Sequence, residues 1–466
     1  MLGVIGIIVS LVLLMYLAYK GFSVIAIAPL LALLATVFVA ISTGGDFHLM
    51  ATYTQIFMKS VGNFVASFFP IFLLGAILGK FLEDSKSAAA ISKFITTKLG
   101  ESSAILAIMV TCAVLTYGGV SLFVVVFAIY PIGVSLFKAS GIPKRFLPGT
   151  IALGAFTFTM TALPGSPQIQ NTIPMKFFGT DAFAAPILGL IASLIMAVGG
   201  ILWLNYRAKS AMAKGEGYGD HDMDNKSEQV NQESDLPNTM VAFLPIIVVL
   251  GLNFILSKMV YPHMDLSYLE ADRYSTTAKA VIGNWSLIAS LVSGILVTIV
   301  FNLKRIDSVL KTLTTGVSGS FLAIFNTASE TGYGNVIASL ASFVIIKDAL
   351  MSVSSNILVN EAISVSALAG VTGSASGGLS IALGVLGETY MKMASQVGID
   401  PQVLHRVASI ACGGLDTLPH NGAVITLLGI TGMTHKESYI DIGMCTVVIP
   451  TISVITIILL SSLGIV

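Results

Sequence analysis

The sequence is poor in charge. Asp, Glu, Lys and Arg make up 10% of its 466 residues, where a soluble domain carries about 25%. So few charges cannot keep a water-facing surface solvated, which excludes a cytosolic enzyme and a disordered chain. Basic and acidic residues balance at 24 each, so no net charge draws in nucleic acid. Cysteine is nearly missing. Cys112, Cys412 and Cys445 lie in apolar stretches without ligand-like spacing, which excludes a disulfide scaffold and leaves them as small core residues. Also missing are HExxH, a P-loop, a Rossmann fingerprint and a Ser/His/Asp arrangement. Their absence argues against ATP-driven transport within this chain, and neither cofactor nor metal is expected. What is plentiful is apolar: 55% of residues are hydrophobic and the mean hydropathy is +0.90. That composition describes an all-α polytopic protein embedded in a lipid bilayer.

A spanning helix needs about 20 mostly apolar residues. Leu2–Tyr19, Phe22–Ser42, Val61–Leu82, Ala184–Tyr206, Met240–Leu256, Ala280–Phe301, Ser318–Ile337 and Ile442–Val466 meet that need. Residues 1–45 read as retained N-terminal spans, because no basic residue precedes the first apolar run as in a signal peptide. Arg207, Lys209 and Lys214 follow directly on a span, which marks the polar linker 207–238 as cytoplasmic. Lys304, Arg305 and Lys311 mark a second cytoplasmic loop. Counting back places Lys80, Lys86, Lys93, Lys98, Lys138, Lys144 and Arg145 on the same side.

Those basic clusters flank a charge-free interval, Ser102–Phe137, with Tyr117-Gly118-Gly119-Val120-Ser121 near its centre. Ends on one side require a hairpin, either re-entrant (about 102–137) or two short full spans. Bare backbone is tolerated at membrane depth only where protein or water covers it, which favours the re-entrant form. The next charge-free stretch is interrupted by Thr161-Ala162-Leu163-Pro164-Gly165-Ser166-Pro167-Gln168. Paired prolines cannot continue a helix, so 146–178 is expected to be a broken helix.

The second half repeats this grammar. Gly377-Gly378-Leu379-Ser380 matches Gly118-Gly119-Val120-Ser121, and Gly398-Ile399-Asp400-Pro401 matches Gly141-Ile142-Pro143. Asp416-Thr417-Leu418-Pro419-His420-Asn421 matches Thr161–Ser166. Topology counting gives the second copy the opposite sense. The expected organisation is therefore repeat 1 over 46–206 and an inverted repeat 2 over 239–466, with a hairpin at about 362–397 and a broken helix at about 402–434. Inverted repeats whose interrupted segments meet at the midplane are typical of secondary transporters.

The candidate substrate groups follow from those breaks. At the hairpin tips they are Tyr117, Gly118, Gly119 and Ser121, then Thr372, Gly373, Ser374, Ser376 and Gly377. In the unwound segments they are Thr161, Pro164, Gly165, Ser166, Gln168 and Asn171, then Thr417 and Asn421. Glycine admits a ligand to the backbone and hydroxyls add donors and acceptors; close packing of small residues between helices is the plainer alternative. Asp416, His420 and Glu330 are ionisable groups inside spans, hence candidates to carry a coupling ion. A satisfied structural pair is the alternative for Asp416 with His420; for Glu330 the alternatives are a place near the outer interface or a pairing within the helix bundle. Glu388 and Lys392 are expected to pair along a helix, and His405 and Arg406 to be interfacial.

At these residues the chain resembles the gluconate permease (GntP) family of the ion transporter superfamily, over most of its length. Gly373-Ser374-Ala375-Ser376 resembles the family's Gly-Ser-Ala-Thr stretch, and His420-Asn421 falls where gluconate permeases carry a His-Val-Asn-Asp-Ser type segment. Pro164-Gly165-Ser166-Pro167 stands in place of a Pro-Pro-His-Pro-Gly segment; the missing histidine points away from gluconate and towards the D-3-hydroxybutyrate permease branch. The resemblance implies a homodimeric, elevator-type symporter of the inner (plasma) membrane. It would import small hydroxy monocarboxylates with H⁺, with gluconate, other sugar acids or lactate as alternative substrates and Na⁺ as the alternative ion. A channel or an intramembrane enzyme explains the repeat less well.

Overall fold

The computed structural model describes residues 2–20, 22–45, 48–100, 103–120, 122–221, 236–419 and 421–466. Six of its helices are long and apolar enough to cross a bilayer: α2 (Val24–Thr43), α3 (Leu49–Asp84), α10 (Pro186–Ala213), α11 (Thr239–His263), α12 (Ala278–Asn302) and α19 (His435–Ser462). A seventh span is bent. α13 (Val309–Ser339) turns by 96° into α14 (Phe343–Met351), so the predicted span over 318–337 is the straight part of a longer, angled element. α1 (Leu2–Tyr19) is apolar throughout and packs along α2. The chain is thus an all-helical, multi-pass membrane protein, as its composition predicts.

Between these spans lie further helices, most of which end at Gly. α4 (Ser87–Leu99) leads into α5 (Ala104–Tyr117) and α6 (Leu122–Ala139), and α15 (Ile357–Thr372) leads into α16 (Ala375–Val397). α15 and α16 press so closely that a Cβ on Gly378 would run into the Ala369 backbone. α7 (Leu147–Ala155), α8 (Phe158–Thr161) and α9 (Ile169–Phe178) form one interrupted segment; α17 (Pro401–Cys412) and α18 (Gly422–Thr431) form another.

Polar ties show which ends of these elements lie together. Arg145 pairs with Glu216 beyond α10 (2.6 Å), while Arg207 pairs with Asp441 in α19 (3.1 Å). Lys138 lies over the Tyr218 ring, and Asp84 at the end of α3 accepts a hydrogen bond from Thr312 at the start of α13. Lys93 and Lys98 neighbour Leu236 and Thr239 at the start of α11. These contacts gather the basic clusters at one end of the molecule. At the opposite end Lys258 pairs with Asp181 (2.7 Å), and Gln402 accepts from the Ala185 N–H (3.3 Å). The first interrupted segment therefore runs from the basic end to the opposite end. The second begins beside Ala185 and is followed by Asp441 at the basic end.

Candidate functional site

The interrupted segments converge on a cavity of about 660 Å³. Its walls are α3 (Ile71, Phe72, Gly75), α13 (Ser320, Asn326, Thr327, Glu330), both hairpin tips, both helix breaks, and the turn between α1 and α2 at Phe22–Val24. Gly3, at the other end of α1, packs against Ser342 at the α13–α14 bend. The α1–α2 turn therefore lies at the basic end, and the cavity extends towards it.

The second half supplies most of the polar lining. Gly373 ends α15 at φ 62°, a left-handed conformation that a Cβ would strain. Its carbonyl then accepts from Asn421 Nδ2 (2.8 Å), while Asn421 Oδ1 caps α18 by accepting from the Val424 N–H (2.9 Å). One side chain thereby joins hairpin tip to helix break. Ser374 caps α16 by accepting from the Gly377 N–H (3.1 Å) and donates to Glu330 Oε2 (3.3 Å). Glu330 is 5% exposed, and Gly377 is where it must be, since a Cβ there would overlap the carboxylate. Ser376 meets Thr327 (3.3 Å), and the Thr372 hydroxyl bonds back to Leu368 O (2.8 Å). Asp416 lines the cavity, and its Oδ1 has no partner among the described residues. Thr417 does not reach it: its hydroxyl donates to Thr446 (2.6 Å) and its carbonyl accepts from Tyr439 (3.1 Å).

The first half mostly bonds to itself. Tyr117 donates to Pro164 O (2.6 Å) and Gln168 Nε2 to Thr116 O (2.7 Å), so the hairpin tip and the break hold each other. Ser166 donates to Thr159 O (2.6 Å), Asn171 donates to Ser166 O (2.8 Å) and Ala182 O (3.0 Å), and Thr161 donates to Thr157 O (3.1 Å). Gly165 turns against Phe183 and Gly118 lies under Ile246. Of the first-half candidates, Gly119 and Gln168 line the cavity, with Pro167 and Gln170 beside them. Ser121 and His420 lie outside the described residues.

Two expectations need correction. His405 and Arg406 are not interfacial; both are completely buried, because α17 lies inside the molecule between the two breaks. Arg406 donates from Nε and Nη2 to Ala184 O (3.1 and 2.6 Å) and from Nη1 to Thr161 O (3.2 Å) and Asn171 Oδ1 (3.0 Å). His405 meets Thr180 (2.6 Å) and Asn171 (3.3 Å). The signal was the apolar flanks of the pair, Val403-Leu404 and Val407-Ala408. Glu388 and Lys392 form no ion pair among the described residues; Glu388 is exposed instead. Glu361 on α15, which the sequence did not single out, is fully buried, and neither carboxylate oxygen has a partner among the described residues.

Among the described residues no Lys or Arg lines the cavity. Three helix N-termini open on it instead: α9 after Gln168, α16 after Ser374 and α18 after Asn421. Each brings unpaired N–H groups and partial positive charge. Among the described residues no group of three His, Cys, Asp or Glu could hold a metal ion.

Apolar spans around a polar chamber built from interrupted helices define a membrane transporter. The chain belongs to the GntP permease family: the sequence profile described as GntP family permease matches residues 2–463. It is 46% identical over 431 residues to an uncharacterized transporter, YxjC, of Bacillus subtilis, covering 89% of this chain and 90% of that one. An uncharacterized Haemophilus influenzae transporter is 27% identical over 180 residues, 38% of this chain and 40% of that one. The crystal structure of the Alcanivorax borkumensis YdaH transporter, described as having an unusual topology, has a TM-score of 0.52 at 13% identity. It covers 87% of this chain and 86% of its own, a likeness of fold alone. A permease of this family acts on a small-molecule substrate within a lipid bilayer.

Proposed function

We propose that the protein is a proton-coupled symporter of small hydroxy monocarboxylates, D-3-hydroxybutyrate foremost. One observation carries the reading: the only titratable side chains on the described cavity wall are Glu330 and Asp416, set among three helix N-termini and no cation. Helix N-termini stabilise an anion through N–H groups and dipole. Two buried acids that have no cationic partner among the described residues are costly when ionised, so each is suited to take a proton as the substrate anion enters. Ser374, Ser376, Gln168 and Asn421 would hold the carboxylate and hydroxyl; Glu330 and Asp416, with His420, would carry the proton.

The same reading treats the opposed halves as inverted repeats. The hairpins and broken helices form a moving body, and the remaining spans form the scaffold of a homodimer working by an elevator mechanism. Basic clusters gathered at one end favour a cytoplasmic location for that end and for the linker 207–238, in the plasma membrane. The cavity extends towards that end, an inward-facing arrangement.

Proteoliposomes test this with labelled 3-hydroxybutyrate, gluconate and lactate under imposed H⁺ or Na⁺ gradients. Uptake of 3-hydroxybutyrate driven by an inward H⁺ gradient is expected. No gradient-driven uptake of any hydroxy acid overturns the substrate class, and dependence on Na⁺ alone overturns the coupling. Glu330→Gln with Asp416→Asn is expected to abolish gradient-driven uptake while leaving substrate exchange across the membrane; unchanged uptake by the double variant removes both residues from the coupling.

A further inference from the structure

We propose that Arg406 is the charge that makes the chamber select anions, acting from one residue layer behind its wall. The inference rests on the carboxylate reading above. Its guanidinium is completely buried, yet all its hydrogen-bond acceptors among the described residues are neutral: Ala184 O, Thr161 O and Asn171 Oδ1. No carboxylate forms an ion pair with it among the described residues. Asp181 interacts with it at longer range, but that carboxylate is already matched by Lys258 (2.7 Å) and by the Phe183 N–H (2.8 Å).

The surroundings of the guanidinium connect it to the chamber. Thr161 and Asn171, which it bonds, are chain neighbours of Met160 and Gln170, which line the cavity. Tyr117, also in electrostatic contact with it, sits at the hairpin tip two residues from the cavity-lining Gly119. Gly189 on α10 leaves the space it occupies; a Cβ there would press on Nε. A buried charge is normally retained with a counter-ion or removed. Here the missing counter-ion is the ligand: a carboxylate entering the chamber meets the positive field of Arg406 through a water-poor wall, where screening is weak. A neutral ligand of the same shape gains nothing from it.

Purified full-length protein, wild type and the variants Arg406→Lys and Arg406→Gln, would be compared in proteoliposomes, with detergent melting curves to monitor folding. The probes are the panel acid taken up fastest (3-hydroxybutyrate, gluconate or lactate) and its neutral amide as competitor. Arg406→Lys keeps the charge and should keep KM within about threefold. Arg406→Gln should raise the KM of the acid about tenfold or more without changing competition by the amide. An unchanged KM in Arg406→Gln, or equal impairment of both variants, overturns the inference and leaves a packing role. Should Arg406→Gln fail to fold, wild type decides: the acid must compete about tenfold better than its amide, and equal competition overturns the proposal. Wild type that takes up no acid of the panel refutes the transport reading itself; uptake by wild type with an indifferent Arg406→Gln refutes only the role of Arg406.

Discussion

The two helix breaks use the same kinds of residue for different ends. Around the first, Ser166, Thr161 and Asn171 are buried and their hydrogen-bonding groups are satisfied by nearby carbonyls, by Arg406 and by His405. Around the second, Ser374, Asn421, Asp416 and Glu330 face the cavity, and Asp416 Oδ1 has no partner among the described residues. One break is a frame and the other presents chemistry. Unwinding a helix in a membrane frees backbone groups that must find partners. When side chains from the same segment and from α17 satisfy them, the break becomes rigid; when they are left at a cavity wall, they remain for a ligand.

This contrast can be broken experimentally. The largest effect is expected at the second hairpin tip, which Asn421 joins to the second break. Gly377→Ala drives a Cβ into the Glu330 carboxylate and should cost about 3 kcal/mol of stability and abolish uptake. Adding Glu330→Ala should restore the melting temperature, since the obstruction is gone, while uptake stays lost. A double variant as unstable as the sum of the two would mean that the carboxylate is not what Gly377 accommodates.

At the first break Asn171→Ala should cost about 2 kcal/mol, because Ser166 O, Ala182 O and the Arg406 guanidinium each lose one hydrogen-bond partner, while Ala182 O keeps the Gly165 N–H. Uptake per folded molecule should be largely preserved. Strong loss of uptake at unchanged stability would move Asn171 from the frame to the binding groups.

The smallest effect lies outside the membrane, where Arg145 ties the start of the first interrupted segment to Glu216. Hydrogen bonds from Arg145 hold the Glu216 carboxyl below its ordinary value of 4.5. A depressed acid stabilises the fold above its unfolded pKa, and the contribution disappears as pH falls through the folded value. Glu216→Gln should therefore lower the melting temperature slightly at neutral pH, by at most about 0.5 kcal/mol for so exposed a pair. The difference should close in melting curves recorded well below pH 4.5; a difference that persists there assigns the effect to something other than ionisation.

Much of the architecture is legible in the sequence because it depends on local rules. Apolar length marks the spans, and Pro164-Gly165-Ser166-Pro167 must interrupt a helix whatever surrounds it. Apart from the local Glu388–Lys392 pair, the readings that failed concern side chains whose surroundings come from distant parts of the chain. Arg406 looks like an interfacial cation beside a turn, and only the placement of α17 against Thr161, Asn171 and Ala184 buries it. Thr417 resembles Asn421 in the sequence, yet one turns to Thr446 and the other into the cavity.

The sequence by itself therefore determined the class of molecule, the positions of the helix interruptions and the candidacy of Glu330 and Asp416 as intramembrane acids. Scarce charge and broken apolar runs act within a few residues of where they occur. Only the tertiary structure decided which polar groups are satisfied by one another and which are left facing a chamber. That choice turns on hydrogen bonds between residues far apart in the chain, such as Arg406 with Thr161 or Ser374 with Glu330. No local pattern encodes which partner a buried donor will meet.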